Sequence, residues 1–89
     1  MISRTTKRFR QALAALPAST RAQARTAYTL FIQNPAHPSL RFRQVHPTHP
    51  IFSARINRDY RAVGVRKANT IIWFWVGAHD AYERLLAQM

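Results

Sequence analysis

A run of β-branched and aromatic residues near the end of the chain constrains the fold more than any other feature. Thr70–Val76 contains seven such residues in succession, TIIWFWV. Residues of these types favour the extended backbone of a strand, and a strand that is apolar on both faces is typical of the middle of a sheet. We therefore predict that Thr70–Val76 is a central strand and that Gly77 ends it.

Three further extended segments precede this strand: Leu40–Val45, Ser53–Asn57 and Tyr60–Val65. Ser53–Asn57 alternates apolar and polar side chains, and Asn57-Arg58-Asp59 beyond it contains residues that favour turns. Because the connections have the length of hairpins, we predict antiparallel strands that follow one another in sequence order. A short helix is predicted to begin at His79.

Two helices are predicted in the N-terminal part of the chain, where apolar residues recur at helical spacing. Pro17 separates the two helices, and the prolines of the segment 34–38 stop the second. The two helices should form an antiparallel hairpin. The predicted caps and ends are Ser3 or Thr5 and about Leu16 for the first helix, and Ser19 or Thr20 and Gln33 for the second.

These elements predict a single domain, residues 1–89, of the α+β class. An N-terminal helical hairpin should pack on a mainly antiparallel sheet of about four strands, and a short C-terminal helix should lie on the other side. The chain has no cysteine and no apolar run long enough to span a membrane. It is compatible with the reducing cytoplasm, and we expect it there.

Charge is the most unusual property of the composition. Lysine and arginine number 14 against 3 acidic residues, which gives a formal net charge of +11. Such an excess repels itself and usually persists because a polyanion or an acidic protein neutralises it. Most of the cations are arginines, which favour bidentate contacts with phosphate. The alternative is that a GC-rich genome has inflated the arginine content without any such partner.

The composition also limits the chemistry. Asp59, Asp80 and Glu83 are the whole supply of carboxylates, so paired-carboxylate catalysis and carboxylate-held metals are excluded. His46 and His49 lie in a proline-rich loop without a nearby third ligand, so we expect no metal and no cofactor. Arginine, histidine and tyrosine remain. That set suits metal-free RNA cleavage, in which the ribose 2′-hydroxyl attacks the adjacent phosphate.

Three stretches together resemble the RelE/ParE superfamily of toxins from type II toxin–antitoxin systems: NPAHPSLRF at 34–42, SARINRDYRAVGV at 53–65 and WFWVGAHDAYERLL at 73–86. The resemblance implies the RelE fold and an acidic antitoxin as partner. In the RelE-like branch it also implies ribosome-dependent cleavage of mRNA. Two alternatives stay open: a ParE-like inhibitor of DNA gyrase, and a degenerate toxin that only binds its antitoxin or nucleic acid.

The resemblance also implies roles for individual residues. The strand arginine of the family falls on Arg61, the C-terminal catalytic position on His79 and the aromatic that follows on Tyr82. Arg61 would stabilise the charge on the phosphorane, His79 would transfer protons, and Tyr82 would orient a base. We expect Arg61 to have little structural role of its own. Candidates for further contacts with RNA phosphates are Arg41, Arg43, His46 and Arg55.

One departure from the family pattern leads to a further expectation. The family places a β-strand before the helical hairpin, whereas only Met1 and Ile2 precede the first predicted cap, Ser3. We therefore expect that strand to be missing or vestigial.

Overall fold

The computed structural model describes residues 1–89 and contains five strands and three helices. None of the helices combines the length and the apolar character that a membrane crossing requires. A single 3₁₀ turn, Pro38–Leu40, follows the second helix. The elements in chain order are β1 (Ile2–Thr5), α1 (Lys7–Ala14), α2 (Ala18–Gln33), β2 (Arg43–Gln44), β3 (Ile51–Arg55), β4 (Tyr60–Lys67), β5 (Thr70–Ala78) and α3 (His79–Gln88).

The five strands form one mixed sheet in the order β1-β5-β4-β3-β2. Strands β2 to β5 are antiparallel neighbours in sequence order, as their short connections predict. Strand β5 lies between β4 and β1, so the prediction that Thr70–Val76 is an interior strand is confirmed. The α+β class, the helical hairpin and the C-terminal helix are confirmed as well.

The expectation of a missing first strand is wrong. Strand β1 pairs in parallel with β5, from Ile2 opposite Thr70 to Thr5 opposite Trp73. The hydroxyl of Ser3 accepts a hydrogen bond from the indole N–H of Trp73 at 3.0 Å. Four residues suffice for this edge strand because β5 already supplies a long partner, and they are too few to show a period in the sequence.

Several boundaries also differ from the predictions. Ser3 and Thr5 belong to β1, and Thr6 caps α1 by accepting a hydrogen bond from the amide of Phe9 at 3.0 Å. Helix α2 begins at Ala18, directly after Pro17, and not at a Ser19 or Thr20 cap. Its end at Gln33 agrees with the prediction.

The strand predicted at Leu40–Val45 is much shorter than expected. Leu40 ends the 3₁₀ turn, and Arg41 adopts the left-handed conformation with φ 46° and ψ 41°. A left-handed residue breaks the extended backbone, so pairing with β3 is confined to Arg43–Gln44. The short β2 leaves the outer edge of β3 uncovered at Ala54–Arg55, where β3 is paired only with β4.

A β-bulge in β5 changes which residues of the strand face each side of the sheet. Val63 pairs with Trp75 and Gly64 pairs with Trp73, so Phe74 is an extra residue and the alternation of faces shifts there. Trp73 consequently faces the helical hairpin, where its ring centroid lies 5.4 Å from that of Phe31. The core on that side is formed by Phe9, Phe31, Leu40, Ala54, Ala62, Ile71, Trp73 and Val76.

Helix α3 packs on the opposite face of the sheet. Trp75 points to this side, where its ring centroid lies 6.4 Å from that of Tyr82. A Cβ atom on Gly77 would lie 2.8 Å from the Trp75 ring, so only glycine permits this close approach. The prediction that Gly77 ends the strand is wrong, because Gly77 pairs with Arg61 and β5 continues to Ala78, directly before α3 begins at His79.

Candidate functional site

The face of the sheet under α3 carries two arginines side by side. Arg55 of β3 and Arg61 of β4 are direct partners in the antiparallel register. Strand alternation puts Ser53 and Val63, which are also partners, on the same face. Helix α3 closes one side, and the result is a small cavity of about 220 Å³, the arginine pocket. It is lined by Arg41, Arg43, Ser53, Arg55, Arg61, His79, Tyr82 and Glu83.

Arg61 is held by the turn that precedes its strand. Its Nη1 donates hydrogen bonds to the carbonyl oxygens of Asn57 at 2.7 Å and Tyr60 at 3.0 Å. The expectation that Arg61 has little structural role is therefore wrong, because the guanidinium also secures the β3–β4 turn. Its Nε and Nη2 make no hydrogen bond within the chain, so one edge of the fork stays free for a ligand.

The surroundings of Arg61 disfavour its positive charge, which lowers its pKa. Burial lowers the pKa of Arg61, and the nearby positive charges of Arg55 and Arg41 lower it further. The opposing influences of Tyr82 and Asp59 do not cancel this effect. The guanidinium still remains protonated at neutral pH. A bound anion would relieve the repulsion that the lowered pKa records.

His79 lies at the first position of α3 with its backbone fixed and its ring half exposed. Its amide donates to the carbonyl oxygen of Asp59 at 2.7 Å, which ties the start of α3 to the β3–β4 turn. Its Nε2 lies 3.1 Å from Oε1 of Glu83, one helical turn further on. This contact orients the imidazole, and Nδ1 makes no hydrogen bond within the chain.

Tyr82 is a buried part of the pocket wall. Only 5% of the residue is exposed, and its hydroxyl donates to Oγ of Ser53 at 3.1 Å. The centroid of its ring lies 6.4 Å from that of Trp75 and 5.9 Å from that of His79. Tyr82 therefore joins α3 to β3 and does not present an open aromatic face to the solvent.

The remaining predicted residues divide into two groups. The left-handed backbone of Arg41 and the short strand containing Arg43 bring both arginines to the arginine pocket. His46 is not brought there. Its Nδ1 accepts hydrogen bonds from the amides of Thr48 at 3.1 Å and His49 at 2.9 Å, so its ring closes the β2–β3 loop instead.

Two pocket residues, Ser53 and Glu83, were absent from the sequence-based candidates. The signals for both were present in the sequence. Ser53 alternates with Arg55 and so shares its face, and Glu83 follows His79 by four residues on a helix, the spacing at which side chains meet.

Four guanidinium groups around one small cavity make the arginine pocket suited to an anion. Glu83 is the only acidic residue in the lining of the pocket, and its carboxylate contacts the imidazole of His79. Guanidinium groups pair with phosphate through two parallel hydrogen bonds, which a fixed arginine makes best. Nowhere in the structure do three or more histidine or acidic side chains gather. The pocket thus offers charge stabilisation from arginine and proton transfer from histidine.

Known structures share this arrangement of elements. YafQ from E. coli strain BL21(DE3) aligns with a TM-score of 0.68 at 14% identity, covering 90% of this chain and 94% of that one. The RelB–RelE antitoxin–toxin complex from Methanococcus jannaschii aligns with a TM-score of 0.69 at 18% identity, covering 92% and 96%. The intact E. coli RelBE toxin–antitoxin complex aligns with a TM-score of 0.64 at 13% identity, covering 85% and 93%. At these identities the likeness establishes the RelE fold.

Sequence comparison adds the family. No protein of curated function matches the chain significantly. A family model described as the ParE-like toxin domain matches residues 18–84, which is most of the chain and includes every residue of the arginine pocket. The resemblance read from the sequence is thereby confirmed, and the chain belongs to the ParE-like family of the RelE/ParE toxins of type II toxin–antitoxin systems.

Proposed function

We propose that this toxin is an endoribonuclease that cuts mRNA on the ribosome, in the cytoplasm, and so inhibits translation. The convergence of four arginines with His79 in one cavity carries the proposal. A phosphodiester gathers negative charge as its transition state forms, and fixed cations aimed at that charge are the largest single source of catalysis in such sites.

The proposed reaction is an internal transfer within RNA. The ribose 2′-oxygen attacks the adjacent phosphorus and forms the 2′-O–P bond, while the bond from phosphorus to the 5′-oxygen breaks. The proton of the 2′-hydroxyl leaves to a base, and an acid protonates the departing 5′-oxygen. The products are a 2′,3′-cyclic phosphate and a 5′-hydroxyl, and no external nucleophile is consumed.

The residues of the arginine pocket fit these steps. The free Nε and Nη2 of Arg61 would contact two phosphate oxygens while Nη1 stays on the turn carbonyls. His79 would transfer one of the two protons through Nδ1, with Glu83 holding the other nitrogen. Water would exchange the second proton. Tyr82 would position α3, and hence His79, through its hydrogen bond to Ser53.

An acidic antitoxin is the proposed protein partner. An apolar groove of about 400 Å³ lies between the helical hairpin and the sheet, and its lining includes Arg10, Arg25 and Arg55. An amphipathic segment with acidic flanks would suit it. Two of the similar structures are named as complexes of RelE with RelB. Association should slow as salt rises through 0.1 M, where the Debye length is about 10 Å.

Inhibition of DNA gyrase is the second candidate function. It is favoured by the match to a family model that carries the ParE name. In that case the basic pocket would bind its target without cutting RNA. A degenerate toxin that only binds its antitoxin or nucleic acid would lack both effects.

Primer extension on a translated message after brief induction tests the proposal. Cuts should appear within the reading frame at positions spaced by codons, and they should vanish when a stop codon blocks translation upstream. A gyrase supercoiling assay with the purified protein tests the second candidate function. Inhibited supercoiling without cleaved message would establish the gyrase candidate and reject the ribonuclease.

A further inference from the structure

A second groove adjoins the arginine pocket and shares Arg41 and Arg55 with it. This flanking groove has a volume of about 590 Å³ and runs between α2, the 3₁₀ turn at Pro38–Leu40 and the β3–β4 turn. It exists because β2 is too short to cover the end of β3. A ligand in the arginine pocket would therefore lie next to the flanking groove, with Arg41 and Arg55 in contact with both cavities.

The lining of the flanking groove combines apolar and amide groups. Ala27, Leu30 and Ile56 supply apolar surface, and Leu40 lies buried behind them at 2% exposure. At one end Nδ2 of Asn57 donates to Oε1 of Gln23, which joins the β3–β4 turn to α2. The Nε2 of Gln23 has no partner within the chain and stays available to a carbonyl group. An apolar surface bordered by an amide donor suits a planar nucleobase.

The two shared arginines are placed to serve both cavities. Neither Arg41 nor Arg55 donates a side-chain hydrogen bond to another group of the chain, so both guanidinium groups are free. Arg41 also occupies a left-handed position, φ 46° and ψ 41°, that favours glycine or asparagine. An arginine kept there at a conformational cost points to a role for its side chain. A guanidinium can bind phosphate with its edge and stack on a base with its face.

We propose that the flanking groove holds the base and sugar of the nucleotide whose phosphate occupies the arginine pocket. The inference rests on the proposed function, because it assigns a nucleotide to the same anion site. It adds a specificity-determining surface on α2, remote from His79 and Tyr82. Thr26 lies at this surface.

Nucleoside monophosphates and inorganic phosphate provide the probes. We measure their binding to the intact protein by isothermal titration calorimetry, using 3′- and 5′-monophosphates of each nucleoside. A buried base contributes apolar contact and stacking, so at least one nucleotide series should bind about tenfold more tightly than inorganic phosphate. The series that binds more tightly tells on which side of the phosphate the base lies.

The chain offers a matched pair of variants on α2. Thr26 and Thr29 are both exposed, and each donates its hydroxyl to the carbonyl four residues earlier, at 3.2 and 3.1 Å. Thr26 lines the flanking groove, whereas Thr29 lines the apolar groove on the other side of α2. Thr26→Phe should fill the flanking groove and reduce nucleotide affinity to that of inorganic phosphate. Thr29→Phe should leave both affinities unchanged.

The outcomes separate this inference from the proposed function. Phosphate binding that depends on Arg61 but gains nothing from a nucleoside overturns the flanking groove alone. Equal effects of Thr26→Phe and Thr29→Phe on nucleotide binding overturn it too. Absence of any Arg61-dependent phosphate binding overturns both proposals. A nucleotide advantage lost only in Thr26→Phe supports the assignment.

Discussion

Arg55 and Arg61 face each other directly across the β3–β4 pair. Like charges at such positions destabilise a sheet, whereas opposite charges there would stabilise it by roughly 0.2–1 kcal/mol. No acidic side chain lies between them, and Arg55 contributes to lowering the pKa of Arg61. The fold thus keeps a repulsion that a bound phosphate would remove, and this relationship is the physical basis of the proposed anion site.

Replacing Arg55 by glutamine should therefore stabilise the free protein slightly. We expect Arg55→Gln to raise the free energy of unfolding by up to about 0.5 kcal/mol in phosphate-free buffer. Added phosphate should then raise the melting temperature of the wild type more than that of the variant. Arg84→Gln, on the exposed side of α3, is the control for net charge. A less stable Arg55→Gln with an unchanged response to phosphate would contradict the account.

Arg61 has two separable functions, and two substitutions should separate them. Arg61→Ala should lower the cleavage rate by about 10²–10³, as the loss of one oxyanion donor does. It should also cost about 1 kcal/mol of stability, because Nη1 leaves the carbonyls of Asn57 and Tyr60.

Arg61→Lys should regain part of the stability but little of the activity, since an ammonium cannot form the fork. Both quantities are measured on the same preparations, by thermal melts and by single-turnover cleavage. Arg66→Ala is the matched control on β4, where the guanidinium lies over Phe52 at 5.6 Å and away from the pocket. Undiminished cleavage by a folded Arg61→Ala would show that the strand arginine takes no part in the chemistry.

Substitutions of His79 and Glu83 should both slow cleavage, but only the substitution of Glu83 should also strengthen phosphate binding. His79→Ala should slow single-turnover cleavage by about 10²–10⁴, the usual contribution of proton transfer. Glu83→Gln should strengthen phosphate binding, because the only carboxylate of the arginine pocket is removed. It should still slow cleavage, because the imidazole loses its charged partner. Asp80→Asn removes the same charge outside the pocket and should change neither quantity. Cleavage by His79→Ala at the wild-type rate would reject the proton-transfer role.

The hydrogen bond from Tyr82 to Ser53 should matter for stability more than for chemistry. Tyr82→Phe and Ser53→Ala should each cost about 1 kcal/mol, and the double variant should cost little more than either one. Chemical denaturation of the four proteins gives the coupling energy. Cleavage by Tyr82→Phe should fall less than tenfold. A far larger loss at unchanged stability would mean that the hydroxyl takes part in the reaction.

Long elements with a clear local sequence pattern could be predicted from the sequence. The strand β5, the helical hairpin and the end of α2 at Gln33 are each determined by residue types and spacing within the segment itself. Strand β1 had none, because four residues cannot display a period and its pairing with β5 is non-local. The left-handed Arg41 was equally hidden, since glycine or asparagine normally marks such a position.

The site shows the same division. The sequence identified Arg61 and Arg55 as candidates separately, and only the register of β3 and β4 shows that they are direct partners. The burial of Tyr82 depends on how α3 packs across the sheet, which sequence spacing does not give. His46 was grouped with the phosphate-binding residues by its type and place, but its ring is used to close its own loop.

The most direct test of the central claim is the dependence of cleavage on one oxygen atom of the substrate. Purified protein is added to ribosomes that hold a message in the decoding site, with either ribose or 2′-deoxyribose at the nucleotide before the cut. We predict a single cut in the ribose message, with a 2′,3′-cyclic phosphate at its new end, and no cut in the 2′-deoxy message. Arg61→Ala should cut the ribose message about 10²–10³ times more slowly. An uncut ribose message, or equal cutting of both messages, would contradict the proposed reaction.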